Sequence, residues 1–191
     1  PLEHLRHSLE CLRVTLADDL PEGAREDPVA FIDEALEGFG ERPARRPRLA
    51  PDSDCSRLAL RYAEAALSGR RQQAIHIVRD AVDSGLPVAD AYERVLLPAQ
   101  AEVGVMWHLG EISVPEEHAA TETTRTVMGI LSQNAPDVAG DAPSVLVAAV
   151  EGDRHDIGTR AVADLLEMAG FRAVLLGCDV PTRDLARAVT A

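Results

Sequence analysis

The chain has 191 residues, 46% hydrophobic and 27% charged, enough for one large or two small domains that each bury a core. No apolar run approaches the roughly 20 residues a membrane span needs and no signal-peptide pattern opens the sequence, so a soluble cytoplasmic protein is expected. A net charge of −13 excludes broad electrostatic binding to nucleic acid, and the three scattered cysteines (Cys11, Cys55, Cys178) fit neither a disulfide framework nor a thiolate metal site.

Residues 1–50 hold two helical patterns, HLRHSLECLRVTLADDL and DPVAFIDEALEGFG, before ERPARRPRLAPDSD, whose prolines and missing apolar period mark a linker. No winged-helix or helix-turn-helix signature is present there, so direct DNA binding by this chain is not expected. Four helices follow over residues 53–134. SRLALRYAEAALSG ends at Gly69 and RRQQAIHIVRDAVDSG at Gly85, each glycine suiting a left-handed cap; in the second, Ala74, Ile77, Val78 and Ala81 form one apolar face. VADAYERVLLPAQAEVGVMWHLG is a third helix with a bend expected at Pro98. S-V-P-E at Ser113 is a capping box that opens a fourth, and together they predict an antiparallel bundle.

APDVAGDAP breaks the helical period. Residues 143–191 then alternate strand (SVLVAAV), loop, helix (TRAVADLLEMAG), strand (FRAVLLG) and helix (TRDLARAVTA), the pattern of a parallel sheet covered on both faces. The fold class expected is therefore α plus α/β, a four-helix bundle followed by the first half of a Rossmann-like domain. Two parallel strands leave most of such a sheet without partners, so the natural chain is expected to continue beyond Ala191.

The loop EGDRHDIG, residues 151–158, lies at the carboxyl end of a strand, where open α/β sheets place their ligands. Gly152 and Gly158 permit tight turning, but the spacing is not that of a dinucleotide loop. His155 offers an imidazole nitrogen to a metal while Asp153 accepts a hydrogen bond from the other ring nitrogen. The same residues also read as a surface histidine beside an aspartate, and no further histidine or cysteine lies close by to complete a zinc site. Trp107 ends the third helix, and Glu117 and His118 stand in the first turn of the fourth. That corner brings the three near one end of the bundle, although packing of Trp107 and the helix dipole at Glu117 would account for each alone.

D-R-H-D-I-G resembles the D-x-H-x-x-G motif of cobalamin-binding domains, and Trp107, nine residues, then Glu117-His118 resembles the light-sensing cobalamin regulators of the CarH/LitR type. The resemblance runs over roughly residues 53–191. It implies a flavodoxin-like domain in which His155 replaces dimethylbenzimidazole as the lower cobalt ligand, with Asp153 behind it and Gly158 closing the motif. It further implies that Trp107, Glu117 and His118 cap the upper corrin face around a 5′-deoxyadenosyl group, and that His108 binds cobalt once light has expelled that group. The family's MerR-type DNA-binding domain is not recognisable here, and its Ser-x-Leu and Gly-Gly tail contacts would lie downstream of Ala191.

The function expected on this basis is that of an adenosylcobalamin-dependent light sensor acting in transcriptional regulation. It would be a binding switch rather than an enzyme, controlling a protein partner or its own light- and cofactor-dependent homo-oligomer. The alternative is a corrinoid carrier protein of a methyltransferase system, which resembles the same architecture. A mutase small subunit is a weaker third reading, since such subunits lack the bundle.

Overall fold

The computed structural model describes residues 2–37, 49–133 and 138–189. Most of the expected linker after residue 40, together with residues 135–137 and 190–191, lies outside the described residues. The chain divides into two compact units, Pro1–Arg46 and Pro47–Ala191. In the first, α1 (Leu2–Asp19) and α2 (Glu26–Glu37) flank a 3-10 turn at Glu22–Ala24, and the Arg13 guanidinium forks onto the Asp33 carboxylate.

The second unit begins with the bundle: α3 (Asp54–Leu67), α4 (Arg71–Asp83), α5 (Val88–Ala91), α6 (Leu97–His108) and α7 (Val114–Ser132). Its glycine stops and the cap at Ser113 are the ones the sequence signals. The Ser56 N–H donates to Ser53 Oγ at 3.1 Å while the Ser53 N–H donates to Ser56 Oγ at 2.9 Å, and Gly69 and Gly85 close α3 and α4 at φ of 67° and 106°. At the head of α7 the Glu116 carboxylate accepts the Ser113 N–H at 2.7 Å and its hydroxyl at 2.5 Å. The irregularity expected at Pro98 appears one turn earlier, as a π-helical stretch over Tyr92–Leu96 that joins α5 to α6. Proline lacks the N–H that would bond the carbonyl four residues back, and the Leu97 N–H instead reaches Tyr92 O in the wider register.

Tyr62, Val78, Tyr92, Val95, Leu96, Val127 and Met128 fill the centre of the bundle, each essentially inaccessible to solvent. At roughly 1.5–3 kcal/mol for a fully buried large apolar side chain, this face holds the helices together.

After the bundle come β1 (Ser144–Val150), α8 (Ile157–Met168), β2 (Arg172–Val180) and α9 (Thr182–Val189). β1 pairs parallel with β2, Ser144 opposite Arg172 and Val147 opposite Leu175, with the register shifting before Val150 meets Val180. β2 runs three residues past the expected strand, and α8 begins two residues before its expected start. The apolar pattern predicts strands covered on both faces; among the described residues Val174 and Leu176 of β2 remain exposed. α8 also packs on the bundle: Ile157 and Ala161 belong to its hydrophobic core, and the Tyr92 hydroxyl lies 2.8 Å from Asp164 Oδ2 and 2.9 Å from the Met128 carbonyl.

Candidate functional site

A cleft of about 670 Å³ opens where α6, α7 and the start of α8 meet. Its bundle wall is set by the corner between α6 and α7. The Gly110 backbone, at φ of 68°, turns the chain so that Trp107 at the end of α6 and Glu117 and His118 at the start of α7 reach the same cavity. Trp107 is half exposed, unlike a tryptophan packed in a core. The Glu117 carboxylate accepts the Thr121 hydroxyl at 2.7 Å through one oxygen and His118 Nδ1 at 2.6 Å through the other.

The opposite wall is the loop after β1. Asp179, at the end of β2 and itself at φ of 54°, accepts the Gly152 N–H at 2.8 Å and donates its own N–H to the Asp153 carbonyl at 2.9 Å. That clamp fixes the turn from which His155 projects. Asp153 Oδ1 accepts the His155 N–H at 2.9 Å and ring Nδ1 at 2.7 Å, and these two bonds hold the Asp153 carboxyl below the usual carboxylate range. With Nδ1 donating to Asp153, the nitrogen left with a lone pair is Nε2, on a side chain 98% exposed beside the cleft.

Asp156, next in the chain, receives the Arg125 guanidinium of α7 in a two-point pair, Nε to Oδ2 at 2.8 Å and Nη2 to Oδ1 at 2.7 Å. The pair lowers the Asp156 carboxyl and raises the Arg125 guanidinium from their ordinary values, and it ties the histidine loop to the bundle.

Trp107, Glu117, His118, His155 and Gly158 all line the cleft, with Asp153 behind His155. His108 does not line it: successive residues on a helix are turned by about 100°, and His108 stands exposed beyond Trp107 on another side of α6. Apart from its chain neighbours and the backbone of its own helix, no atom lies within 4 Å of the position a Gly158 Cβ would take, so packing against the rest of the fold does not require glycine there. Gln100, Thr121, Arg125, Asp156 and Asp179 were not singled out from the sequence. Only Thr121, four residues after Glu117 on one helix face, carried a local signal.

Among the described residues there is no group of three or more His, Cys, Asp and Glu side chains placed to hold a metal ion. A solitary imidazole with its other nitrogen anchored fits a metal that arrives with most of its coordination positions already filled, as in a corrinoid.

Comparison with known proteins agrees with that chemistry. Residues 58–132 match the family described as B12 binding domain. The dimethylamine corrinoid protein 3 of Methanosarcina acetivorans is 31% identical over 133 residues, 69% of this chain and 62% of that protein. The HTH-type transcriptional repressor CarH of Myxococcus xanthus is 33% identical over 127 residues, 66% of this chain and 42% of that protein. The chain thus spans less than two thirds of the length of the first of these relatives and less than half of the second. In fold it resembles the Methanosarcina barkeri monomethylamine corrinoid protein, with a TM-score of 0.61 over 70% of this chain and 63% of that one at 23% identity. No described helix is long and apolar enough to cross a membrane. Neither curated relative is named as an enzyme. These findings support a cobalt corrinoid as cofactor, and the likeness to a B12 binding domain falls on α3 to α7, the bundle side of the cleft.

Proposed function

We propose that the cleft holds a cobalt corrinoid with His155 as the lower ligand, and that the chain serves as a corrinoid carrier in a methyl-transfer system. The observation that carries the reading is the single free Nε2 of His155, fixed by Asp153 on a strand-end loop and facing a wall built by the B12 binding domain. Asp153 sets the ring's tautomer and makes Nε2 a better electron-pair donor. Arg125 and Asp156 hold the loop against α7, Trp107 offers an apolar surface to the far face of the ligand, and the Glu117-His118 pair supplies polar contacts there. A bound corrinoid supplies a reactive cobalt to carbon bond. The corrinoid-protein relatives favour the carrier over the light sensor that the sequence motifs put first.

The sensor remains as a second reading on one specific observation: Trp107, Glu117 and His118 gather on one cleft wall, and a repressor shares 33% identity with this chain. In that reading the ligand is adenosylcobalamin, light changes the oligomer, and His108 must swing into the cleft to reach cobalt. Loading with methylcobalamin or adenosylcobalamin in darkness, followed by size-exclusion chromatography before and after illumination, separates the two. The carrier retains the methyl form with an elution volume indifferent to light, whereas the sensor prefers the adenosyl form and changes size on illumination. Retention of neither overturns both.

A further inference from the structure

Behind His118 runs a line of hydrogen bonds that starts in the bundle core. The Tyr62 hydroxyl lies 2.8 Å from Thr124 Oγ1, Thr124 Oγ1 donates to Gln100 Oε1 at 3.1 Å, Gln100 Nε2 donates to Thr121 Oγ1 at 2.6 Å, and Thr121 Oγ1 donates to Glu117 Oε1 at 2.7 Å. His118 Nδ1 stands 2.6 Å from Glu117 Oε2. The line crosses α3, α6 and α7, from Tyr62 and Thr124, both 1% exposed, to the cleft wall.

Its direction follows from the valence of each group. A carboxylate only accepts, so Thr121 gives its one proton to Glu117 and must accept from Gln100. That turns the Gln100 amide nitrogen toward Thr121 and its carbonyl toward Thr124, which donates to it while sharing its proton with the Ala120 carbonyl at 3.0 Å. Thr124 in turn accepts from Tyr62. Reversing any member places two donors or two acceptors face to face. The Glu117 carboxylate is therefore anchored through one oxygen, and the other is left to accept a proton from His118 Nδ1.

We propose that Gln100 and Thr121 are positioning residues that hold His118 as its Nδ1–H tautomer, so that Nε2 presents a lone pair to the cleft and selects ligands that offer an N–H or O–H donor at this wall. The inference rests on the corrinoid reading only for which molecule brings that donor.

The test uses the ligand-free chain labelled with 15N-histidine, with long-range 1H–15N spectra recorded at pH 8. Wild-type His118 should show a protonated Nδ1 and an unprotonated Nε2. Thr121→Val should raise the Nε2–H population several-fold, since free imidazole side chains favour it, and Thr121→Ser should restore the wild-type pattern. An Nε2–H tautomer in the wild type overturns the proposal without any variant, as does a folded Thr121→Val with an unchanged pattern. Titration of the same sample with hydroxocobalamin separates the two claims. The Nδ1–H tautomer without binding counts against the corrinoid reading alone, and binding with the Nε2–H tautomer counts against the relay alone.

Discussion

Replacing Tyr92 by phenylalanine tests whether the bundle and α8 form one cooperative structure. Tyr92 has no exposed surface, and its single hydroxyl proton faces both the Met128 carbonyl and Asp164 Oδ2. Burial pushes the Asp164 carboxyl above its ordinary range, and the hydrogen bond that the Tyr92 hydroxyl donates to it works against that shift. Without the hydroxyl, Asp164 is left unpaired by this partner at a cost of about 1–3 kcal/mol, and the lost bond to Met128 adds about 0.5–1.5 kcal/mol. The expected loss is about 3 kcal/mol, equivalent to a Tm lower by roughly 6–12 °C for a unit of this size. Tyr62→Phe is the control: it removes one bond to Thr124, which keeps its bonds to Gln100 and Ala120, and should cost only about 1 kcal/mol. Urea unfolding of the ligand-free variants, followed by circular dichroism, measures both. A Tyr92→Phe variant that loses no more stability than Tyr62→Phe refutes the reasoning.

Asp164 also fixes a pH dependence. Its folded pKa is raised, so its contribution is fully present below the unfolded carboxylate range and lost as pH rises through the folded value; the stability difference between wild type and Asp164→Asn should shrink with rising pH there, as urea midpoints at several pH values would show. Asp156 behaves oppositely, because pairing with Arg125 lowers its pKa, and Arg125→Met should remove stability at neutral pH but cost progressively less as pH falls through the carboxylate range. The same variant should weaken hydroxocobalamin binding about 10-fold or more, the equivalent of one charge-assisted pair of about 1.5–3 kcal/mol, measured by equilibrium dialysis. His108→Ala should leave dark binding within about two-fold of wild type, since His108 lies outside the cleft; a larger loss would place it at the ligand.

What the sequence disclosed depended on the range of each interaction. β1 was legible as an apolar run between turn residues, and the Ser113 cap and the Gly69 and Gly85 stops were read correctly because each is decided within a few residues; the reciprocal Ser53–Ser56 cap was not read. The π register at Tyr92–Leu96 was not, since widening a helix by one residue hardly alters its apolar period. β2 ran past its expected end because Asp179 anchors the neighbouring loop, a role set by pairing with Gly152 far back in the chain. The site divides the same way. Asp153 and His155 are two residues apart, and the corner between α6 and α7 brings Trp107 to Glu117 and His118, so short-range pattern sufficed. Gln100 meets Thr124 from 24 residues away and Arg125 meets Asp156 from 31, contacts that exist only once the helices have packed. His108 is the reverse case: its sequence neighbour lines the cleft, but the turn of the helix carries it aside.

The central claim, that His155 coordinates a corrinoid cobalt in this cleft, is tested most directly by electron paramagnetic resonance of the chain loaded with cobalamin and reduced to the Co(II) state, with only the histidines carrying 15N. Coordination by His155 predicts a nitrogen splitting that is a doublet in labelled protein and a triplet in unlabelled protein, lost in His155→Ala. A triplet that persists under histidine labelling, the absence of nitrogen splitting, or a doublet that survives His155→Ala would contradict the account.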